Sequence, residues 1–304
     1  MIVWIAFNVA VVLLLLLDAF VLSPMEKPVS MKRALGLTVF WAALAMLFNG
    51  LIYFWLGPVK ALEFLTGYLI EQSLSVDNLF VFLLIFAYFK VPQQYQRKVL
   101  FWGIVGAQVM RAVFILTGVA LFNKFHWLMY IFGAFLIFSG IKLFFEKDKE
   151  INPEQNLALK LFRRVIPVSN DYAGGRFTLM RNGILHATPL FIVLIVIETT
   201  DLIFAIDSIP AILAITKDPF IVYTSNIFAI LGLRAMFFAL AGLINAFHHL
   251  HYGLGLILIF VGMKMLVENI LHIPIIVALG FIALTIMVSI MTSLLFPVKN
   301  THAP

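Results

Sequence analysis

The sequence contains no cysteine among its 304 residues. Disulfide bonds, thiolate metal sites and thiol redox chemistry are therefore excluded. Charged residues are also scarce, at 12% of the chain, whereas soluble globular domains average about 25%. The metalloprotease motif His-Glu-x-x-His is absent, and no histidine lies near the acidic motifs described below. We therefore do not expect an enzyme, and an intramembrane metalloenzyme is the least favoured class.

Apolar residues dominate instead. They make up 63% of the chain, which has a mean hydropathy of +1.05. Runs of about 20 such residues recur along it, each long enough to cross a hydrocarbon core roughly 30 Å thick. This predicts an all-α polytopic membrane protein, whose net charge of +6 reflects basic loops and not nucleic-acid binding. The first run lacks a preceding basic region and contains Asp18, so we expect a retained helix and not a cleaved signal peptide.

The apolar runs predict about nine transmembrane helices. One segment, 198–216, is unusual because it contains three carboxylates and then Pro210, which removes a backbone donor. We expect the helix to break there, with a short second half ending near Ile215. The predicted spans are 2–22, 34–56, 62–89, 99–122, 127–146, 183–203, 221–246, 252–271 and 274–296.

Lysine and arginine are distributed unevenly between the loops. Fourteen lie in loops and the tail on one side of the predicted membrane, seven of them in the longest loop, 147–182. The other side has three, which are Lys60, Lys124 and Lys217. Because cytoplasmic loops are enriched in these residues, the bias predicts an external N-terminus and a cytoplasmic C-terminus.

Two parts of the chain resemble each other. VMRAVFILTG around Arg111 matches GLRAMFFALAG around Arg234, and the surroundings of Lys142 match those of Lys264. The interval from arginine to lysine is 31 residues in the first copy and 30 in the second. Since each copy has three helices, the second starts on the opposite side of the membrane. This predicts an inverted repeat, as in many secondary transporters, whose sites lie at the midplane on discontinuous helices.

The repeat divides the chain into five parts. Two of them are the three-helix units, and the others are additions around or between them. The predicted parts are two N-terminal helices (1–61), the first unit (62–146), a cytoplasmic linker loop (147–182), the inverted second unit (183–272), and a final helix with a short cytoplasmic tail (273–304).

Six carboxylates lie within the apolar runs. Carboxylates at bilayer depth cost a few kcal/mol and normally face a water-filled cavity, a partner or an ion path. With neighbouring amide and hydroxyl groups such as Ser75, they form an oxygen-only set, which suits Mg²⁺, Ca²⁺ or Mn²⁺ better than Zn²⁺ or Cu⁺. Apart from Asp18, they form two related motifs, Glu71-x5-Asp77-Asn78 and Asp201-x5-Asp207-Ser208, the second preceded by Glu198.

Helix geometry limits how these residues can cooperate. Positions seven apart share a face of a helix, but positions six apart lie roughly 120° from each other. On straight helices, Glu71 and Asp77 cannot point at one ion, and neither can Asp201 and Asp207. Either the helices unwind locally, or the residues serve two successive positions in a pathway.

The charges of these carboxylates need compensation. Several like charges in one cavity cannot all remain ionised without a cation, protons, or the buried Arg111 and Arg234. Competition between a cation and protons for the same carboxylates is a physical basis for proton-coupled exchange. The same charges could instead be structural partners of the intramembrane basic residues.

Several other polar groups have simpler interpretations. The pairs Lys142–Glu146 and Lys264–Glu268 favour side chains that snorkel from helix ends. The histidines His248, His249 and His251 favour a solvated or interfacial loop over a metal cluster. Asp18 alone could be either a helix–helix hydrogen-bonding group or part of the ion path.

The segments EQSLSVDNLFVF (71–82) and ETTDLIFAIDSIPAIL (198–213) resemble the two signature segments of the TerC family of integral membrane proteins. The positions of Asp18, Arg111 and Arg234 also fit, and the similarity covers nearly the full chain. It is greatest to the Alx-type members, in a family grouped with the LysE-like exporters. The resemblance implies a multi-pass protein of the bacterial inner membrane that lowers cytoplasmic Mn²⁺.

The resemblance also implies roles for individual residues. Asp18 is a weaker candidate for ion binding. Independently of the resemblance, the ligand chemistry adds Ser75 and Ser208 as weaker candidates, and Arg111 and Arg234 would compensate charge. The residues expected to handle the ion are Glu71, Asp77, Asn78, Glu198, Asp201 and Asp207.

The leading functional prediction is a secondary transporter that exports Mn²⁺, or another divalent cation such as Ca²⁺, by alternating access. It requires a lipid bilayer and no cofactor or nucleic acid, and a homo-oligomer remains open. The alternative is a membrane partner protein that delivers metal to exported or membrane metalloenzymes, or acts in tellurium or envelope stress. That alternative predicts little transport and a dependence on the loop 147–182.

Overall fold

The computed structural model describes residues 2–22, 30–125, 127–145, 166–169, 172–181, 183–241, 250–267, 270–271 and 273–295. Glu146, His248, His249 and Glu268 lie outside them, and the side chains of Asp77 and His251 are also not described. The helices are α1 (Ile2–Leu17), α2 (Met31–Leu56), α3 (Pro58–Tyr88), α4 (Gln93–Lys124), α5 (Leu128–Phe145), α6 (Pro189–Leu213), α7 (Pro219–Leu231), α8 (Leu233–Ala241), α9 (Leu250–Val267) and α10 (Ile275–Leu295).

The described helices agree with a polytopic all-α membrane protein. Six of them are long and apolar enough to cross a bilayer, and α7 with α8 makes a seventh if the bent pair counts as one span. The other two predicted spans coincide with α1 and the apolar part of α9, which are shorter than a full crossing. Nine complete spans are therefore not confirmed.

The break in the helix lies elsewhere than expected. The predicted break at Pro210 is wrong, because α6 continues through it to Leu213. Pro210 lies in the last turn, where only one helical hydrogen bond is lost. The bend is instead at Gly232, between α7 and α8, whose axes differ by 41°. The discontinuous helix is thus the one that leads to Arg234.

Part of the predicted linker loop is a β-hairpin. Strand β1 (Thr178–Arg181) pairs antiparallel with β2 (Ile184–Ala187). Gly183 in the turn has a φ of +75°, which glycine adopts without strain. The predicted span 183–203 is therefore corrected, since its helix begins at Pro189.

The segment before the hairpin is fixed to the ends of α3 and α4. The Tyr172 hydroxyl donates a hydrogen bond to the Phe89 carbonyl at 2.6 Å, and the Lys98 ammonium donates one to the Gly175 carbonyl at 2.8 Å. Burial raises the pKa of the Tyr172 hydroxyl, so this donor keeps its proton at physiological pH.

Helices of the two predicted units pack against each other. The main pairings are α3 with α7, α4 with α6, and α5 with α9. Residues 221–231 of α7 are all buried, so this helix lies at the centre. By contrast, α2 exposes large apolar side chains such as Leu47, Leu51 and Phe54. Such a surface suits lipid contact, while polar groups on α3, α4, α6 and α7 point inward.

Helices α5 and α9 are antiparallel and touch through glycine backbones. A Cβ atom added to Gly140 would lie 2.6 Å from the Gly255 carbonyl oxygen, and one added to Gly133 would lie 3.0 Å from that of Gly262. Any larger residue would therefore force the backbones apart. Small residues at helix contacts are typical of membrane proteins, where close van der Waals packing supplies much of the association energy.

Replacing Gly140 should test this contact. We expect Gly140→Ala to lower the free energy of unfolding by about 1–3 kcal/mol through overpacking. Gly280→Ala in α10 is the matched control, because a Cβ there meets no atom within 4 Å. Thermal unfolding in detergent measures both variants, and equal melting temperatures would contradict the contact.

Candidate functional site

The guanidinium of Arg111 lies where α3, α4, α6 and α7 meet, and Arg111 is 1% exposed. Its Nη2 and Nε donate to the two Asp201 carboxylate oxygens at 3.1 and 3.3 Å. Its Nη1 donates to the Glu71 carboxylate and, at 3.3 Å, to Asn226 Oδ1. Forked pairing of this kind fixes geometry as well as charge. One arginine thus joins an acidic residue from each of the two motifs.

The packing of α4 on α6 explains this position. Gly103 faces Ile197, and Gly118 faces Ile209, so the two helices run parallel. Helical side chains point back toward the N-terminus of their own helix. Arg111 therefore reaches back along α4 to the level of Asp201.

Several buried polar atoms around this ion pair make no hydrogen bond with the described protein. They are Glu71 Oε2, Ser75 Oγ, Ser208 Oγ and Asn226 Nδ2. The Ser208 hydroxyl is near enough to Glu71 to interact with its carboxylate, although without good hydrogen-bond geometry. Buried polar atoms in native proteins almost always find a partner. The free oxygens are the type that Mg²⁺, Ca²⁺ and Mn²⁺ bind, and the two carboxylates exceed Arg111 by one negative charge.

Glu198 lies one turn before Asp201 on α6, against α4. A Cβ atom on Gly106 would overlap its carboxylate, so a larger residue there would displace the Glu198 side chain from this position. Its Oε2 is buried and makes no hydrogen bond with the described protein. Asp201 acts on it electrostatically. Glu198 therefore extends the acidic cluster toward the N-terminal ends of α4 and α6.

Asp207 and Asn78 lie apart from the ion pair of Arg111 with Glu71 and Asp201. Both line a cavity of about 310 Å³ that Ser139 and Lys142 also line. The Ser139 hydroxyl donates to Asp207 Oδ1 at 2.9 Å. Asp201 and Asp207 thus face different surroundings from one continuous helix, as the six-residue spacing predicts. Where side chains are described, no group of three or more histidine, aspartate and glutamate residues is arranged to hold a metal.

Asp18 and Arg234 form a second buried ion pair. Arg234 Nη1 lies 3.2 Å from Asp18 Oδ2, and both side chains are at most 3% exposed. Asp18 begins a π-helical turn, Asp18–Leu22, at the end of α1. The Arg234 guanidinium also lies over the Phe101 ring, 5.7 Å from its centroid. The two matched arginines therefore have different partners.

A larger cavity of about 690 Å³ lies at the C-terminal end of α6. Lys60 links Glu63 and Asp218 there, at 2.8 and 3.3 Å. Lys264 also lines it, and its ammonium donates to the Ala214 carbonyl at 2.8 Å. Lys264 is 6% exposed, so its side chain ends within the protein at this cavity.

Sequence reasoning missed Asn226, Ser139 and Gly106. Asn226 follows Thr224 and Ser225 in an otherwise apolar helix, and this polar run was an available signal. Ser139 and Gly106 are ordinary residues of transmembrane helices, and only the packing of distant segments reveals their roles.

Comparison with known proteins gives consistent results. Residues 56–301 match the family described as integral membrane protein TerC family. An uncharacterized membrane protein of Myxococcus xanthus, STKORF319, is 48% identical over 99% of this chain and 93% of its own. The "Putative membrane-bound redox modulator Alx" of Escherichia coli K12 is 45% identical over 92% of this chain and 90% of its own. No solved structure matches.

The Asp18–Arg234 pair can be tested by a double-mutant cycle. Breaking a buried pair leaves one uncompensated charge, so we expect Asp18→Asn or Arg234→Gln to cost about 3–5 kcal/mol of unfolding free energy. Lys60→Gln is the control, since the Lys60 side chain is 32% exposed and pairs open to solvent contribute about 1 kcal/mol or less. The double variant should lose less than the sum of the two single losses. Strictly additive losses in denaturant unfolding would argue against the pair.

Proposed function

The chain belongs to the TerC family of integral membrane proteins, and from that premise we propose that it is a secondary transporter that exports a divalent cation. Mn²⁺ is the proposed substrate, and the bilayer is that of a bacterial inner membrane. The observation that most supports transport is the convergence of Glu71 and Asp201 on Arg111 within the bundle. Buried charges at this depth are costly and mark ion or proton paths.

In this proposal the cation binds between Glu71 and Asp201. Two carboxylates supply charge, and Ser75, Ser208 and the Asn226 carbonyl supply neutral oxygens, as hard divalent cations prefer. All five groups are buried. Glu198 would lie on the approach to this position. Asp77, Asn78 and Asp207 would serve a second position, in keeping with the separate cavity that Asn78 and Asp207 line.

Alternating access requires two halves that can exchange roles, and we propose that α3–α5 and α6–α9 are an inverted repeat. Three observations support it. Gly133 and Gly140 recur 122 residues later as Gly255 and Gly262, and their cross-contacts map onto each other when the units are exchanged. The pairing of α3 with α7 likewise becomes that of α6 with α4. Inverted repeats commonly enclose a midplane site.

The acidic residues occupy corresponding depths in this arrangement. Glu71 follows the first residue of α3 by 13 positions, and Asp201 follows that of α6 by 12. At about 1.5 Å per residue, both lie roughly 18–20 Å from the start of their helices. With the N-terminus outside, α3 starts externally and α6 internally, so the two carboxylates meet near the middle of the bilayer.

A different role is suggested by the name of the Escherichia coli K12 relative, which describes a membrane-bound redox modulator. This chain has no cysteine, so it could not act through its own thiols. A role as a membrane partner protein has one feature in its favour. The hairpin exposes Met180 and Leu185, which are paired across its strands and share one face, an apolar surface that another protein could cover. Such a role predicts loss of function when this hairpin is altered, with little transport.

Transport can be measured directly with labelled Mn²⁺ and inverted membrane vesicles, alongside Ca²⁺, Mg²⁺ and Fe²⁺. We expect uptake of Mn²⁺ above that of the other ions, with a rate that rises with an opposing proton gradient. Equal uptake at every pH gradient would rule out proton coupling. No uptake of any of the four ions by correctly inserted protein would rule out the exporter.

Single substitutions test the two proposed positions. We expect Asp201→Asn, Asp207→Asn and Asp77→Asn each to abolish Mn²⁺ export, because one charged ligand is lost while the volume is retained. The control is Asp218→Asn at the start of α7, since asparagine caps a helix about as well as aspartate. Manganese resistance retained by all three variants, at normal expression, would contradict the assignment.

A further inference from the structure

We propose that Arg111 is a tethered occupant of the cation site and that Glu198 is its alternative partner. This rests on the proposed function. Between transport events the guanidinium holds Glu71 and Asp201. When a divalent cation binds these carboxylates, the guanidinium moves toward Glu198.

Arg111 and a bound cation would compete for the same carboxylate oxygens. The guanidinium nitrogens lie 3.1 and 3.3 Å from the two Asp201 oxygens. A hard divalent cation binds oxygen at about 2.0–2.6 Å, so it would sit beside the guanidinium on the same carboxylates. Three positive charges would then oppose two negative ones in a buried site, where like charges repel strongly. In this proposal Arg111 therefore leaves Glu71 and Asp201 when the cation binds.

Glu198 is the carboxylate nearest to Asp201 along α6 on the side toward the start of the helix. Glu198 lies three residues before Asp201, a displacement of about 4.5 Å along α6. Its Oε2 is buried without a hydrogen bond from the described protein. Since Arg111 already points back along α4, a rotation of its long side chain in the same direction brings the guanidinium toward Glu198.

A glycine on α4 leaves space for the Glu198 carboxylate. Gly106 lies five residues before Arg111 on the same helix, and any Cβ there would overlap the Glu198 carboxylate. Gly103, one turn earlier, meets only apolar side chains. Gly106 therefore leaves space for the Glu198 carboxylate against α4, five residues before Arg111.

Glu198 is thus a positioning residue for Arg111 and not a ligand of the cation. Without Glu198, Arg111 loses its alternative partner. It then competes more strongly with the cation for Glu71 and Asp201. The apparent affinity for the cation is the intrinsic affinity multiplied by the fraction of protein in which Arg111 has left the site. That fraction falls when Glu198 is absent. With Arg111 replaced, Glu198 should no longer affect binding.

A double-mutant cycle on Mn²⁺ binding tests this. The full-length protein is purified in detergent, and the Kd for Mn²⁺ alone is measured by calorimetry. We expect Glu198→Gln to raise Kd roughly tenfold, and Arg111→Gln to lower it by a similar factor. In the Arg111→Gln background, Glu198→Gln should leave Kd unchanged. An equal rise of Kd in both backgrounds would make Glu198 a direct ligand and overturn the proposal.

Two further variants keep the test decisive if Arg111→Gln does not fold. Gly106→Ala displaces the Glu198 carboxylate while leaving Arg111 and both acids in place, so it should raise Kd as Glu198→Gln does. Gly103→Ala is its control, because its Cβ meets Ile197 at an ordinary 3.4 Å. An unchanged Kd in Gly106→Ala and Glu198→Gln would also overturn the proposal. A wild-type protein that binds no Mn²⁺ would instead refute the proposed function.

Discussion

The pairing of Arg111 with Glu71 and Asp201 is the interaction on which the rest of the structure depends. It brings together three charged side chains from α3, α4 and α6 in a region where α7 is wholly buried. Each charge alone would be costly in the membrane, so none of the three helices can move without the others or without a substitute charge. The surrounding hydroxyl and amide groups fit a site in which that substitute is a cation.

Much of this could be predicted from the sequence. The apolar runs indicated helices, the six-residue spacing separated Asp201 from Asp207, and the two motifs identified Glu71 and Asp201. These properties depend on composition and helical period, which one chain displays by itself. Nine complete spans are not confirmed, because the described α-helical parts of α1 and α9 are shorter than the other spans.

The remaining features depend on contacts between segments distant in sequence. The space that Gly106 leaves for Glu198 exists only because α4 and α6 run parallel in register. Asn226 contacts Arg111 because α7 is central. The position of the bend was also not predictable from proline alone, since Pro210 is tolerated near a helix end while the chain turns at Gly232.

The two matched arginines show how the proposed repeat departs from symmetry. Arg111 contacts carboxylates of both motifs, whereas Arg234 is paired with Asp18 on α1, a helix outside the repeat. By holding Arg234, α1 leaves the central carboxylates to a single arginine. Asp18 thus has a structural reason to be charged that does not require it to bind the ion.

In the proposed mechanism, Glu71 and Asp201 together hold the transported cation. A structure determined with Mn²⁺, located by its anomalous scattering, tests this most directly. We expect a manganese peak between these two carboxylates, with the Arg111 guanidinium displaced from both. A peak elsewhere, with Arg111 still bridging Glu71 and Asp201, would contradict it.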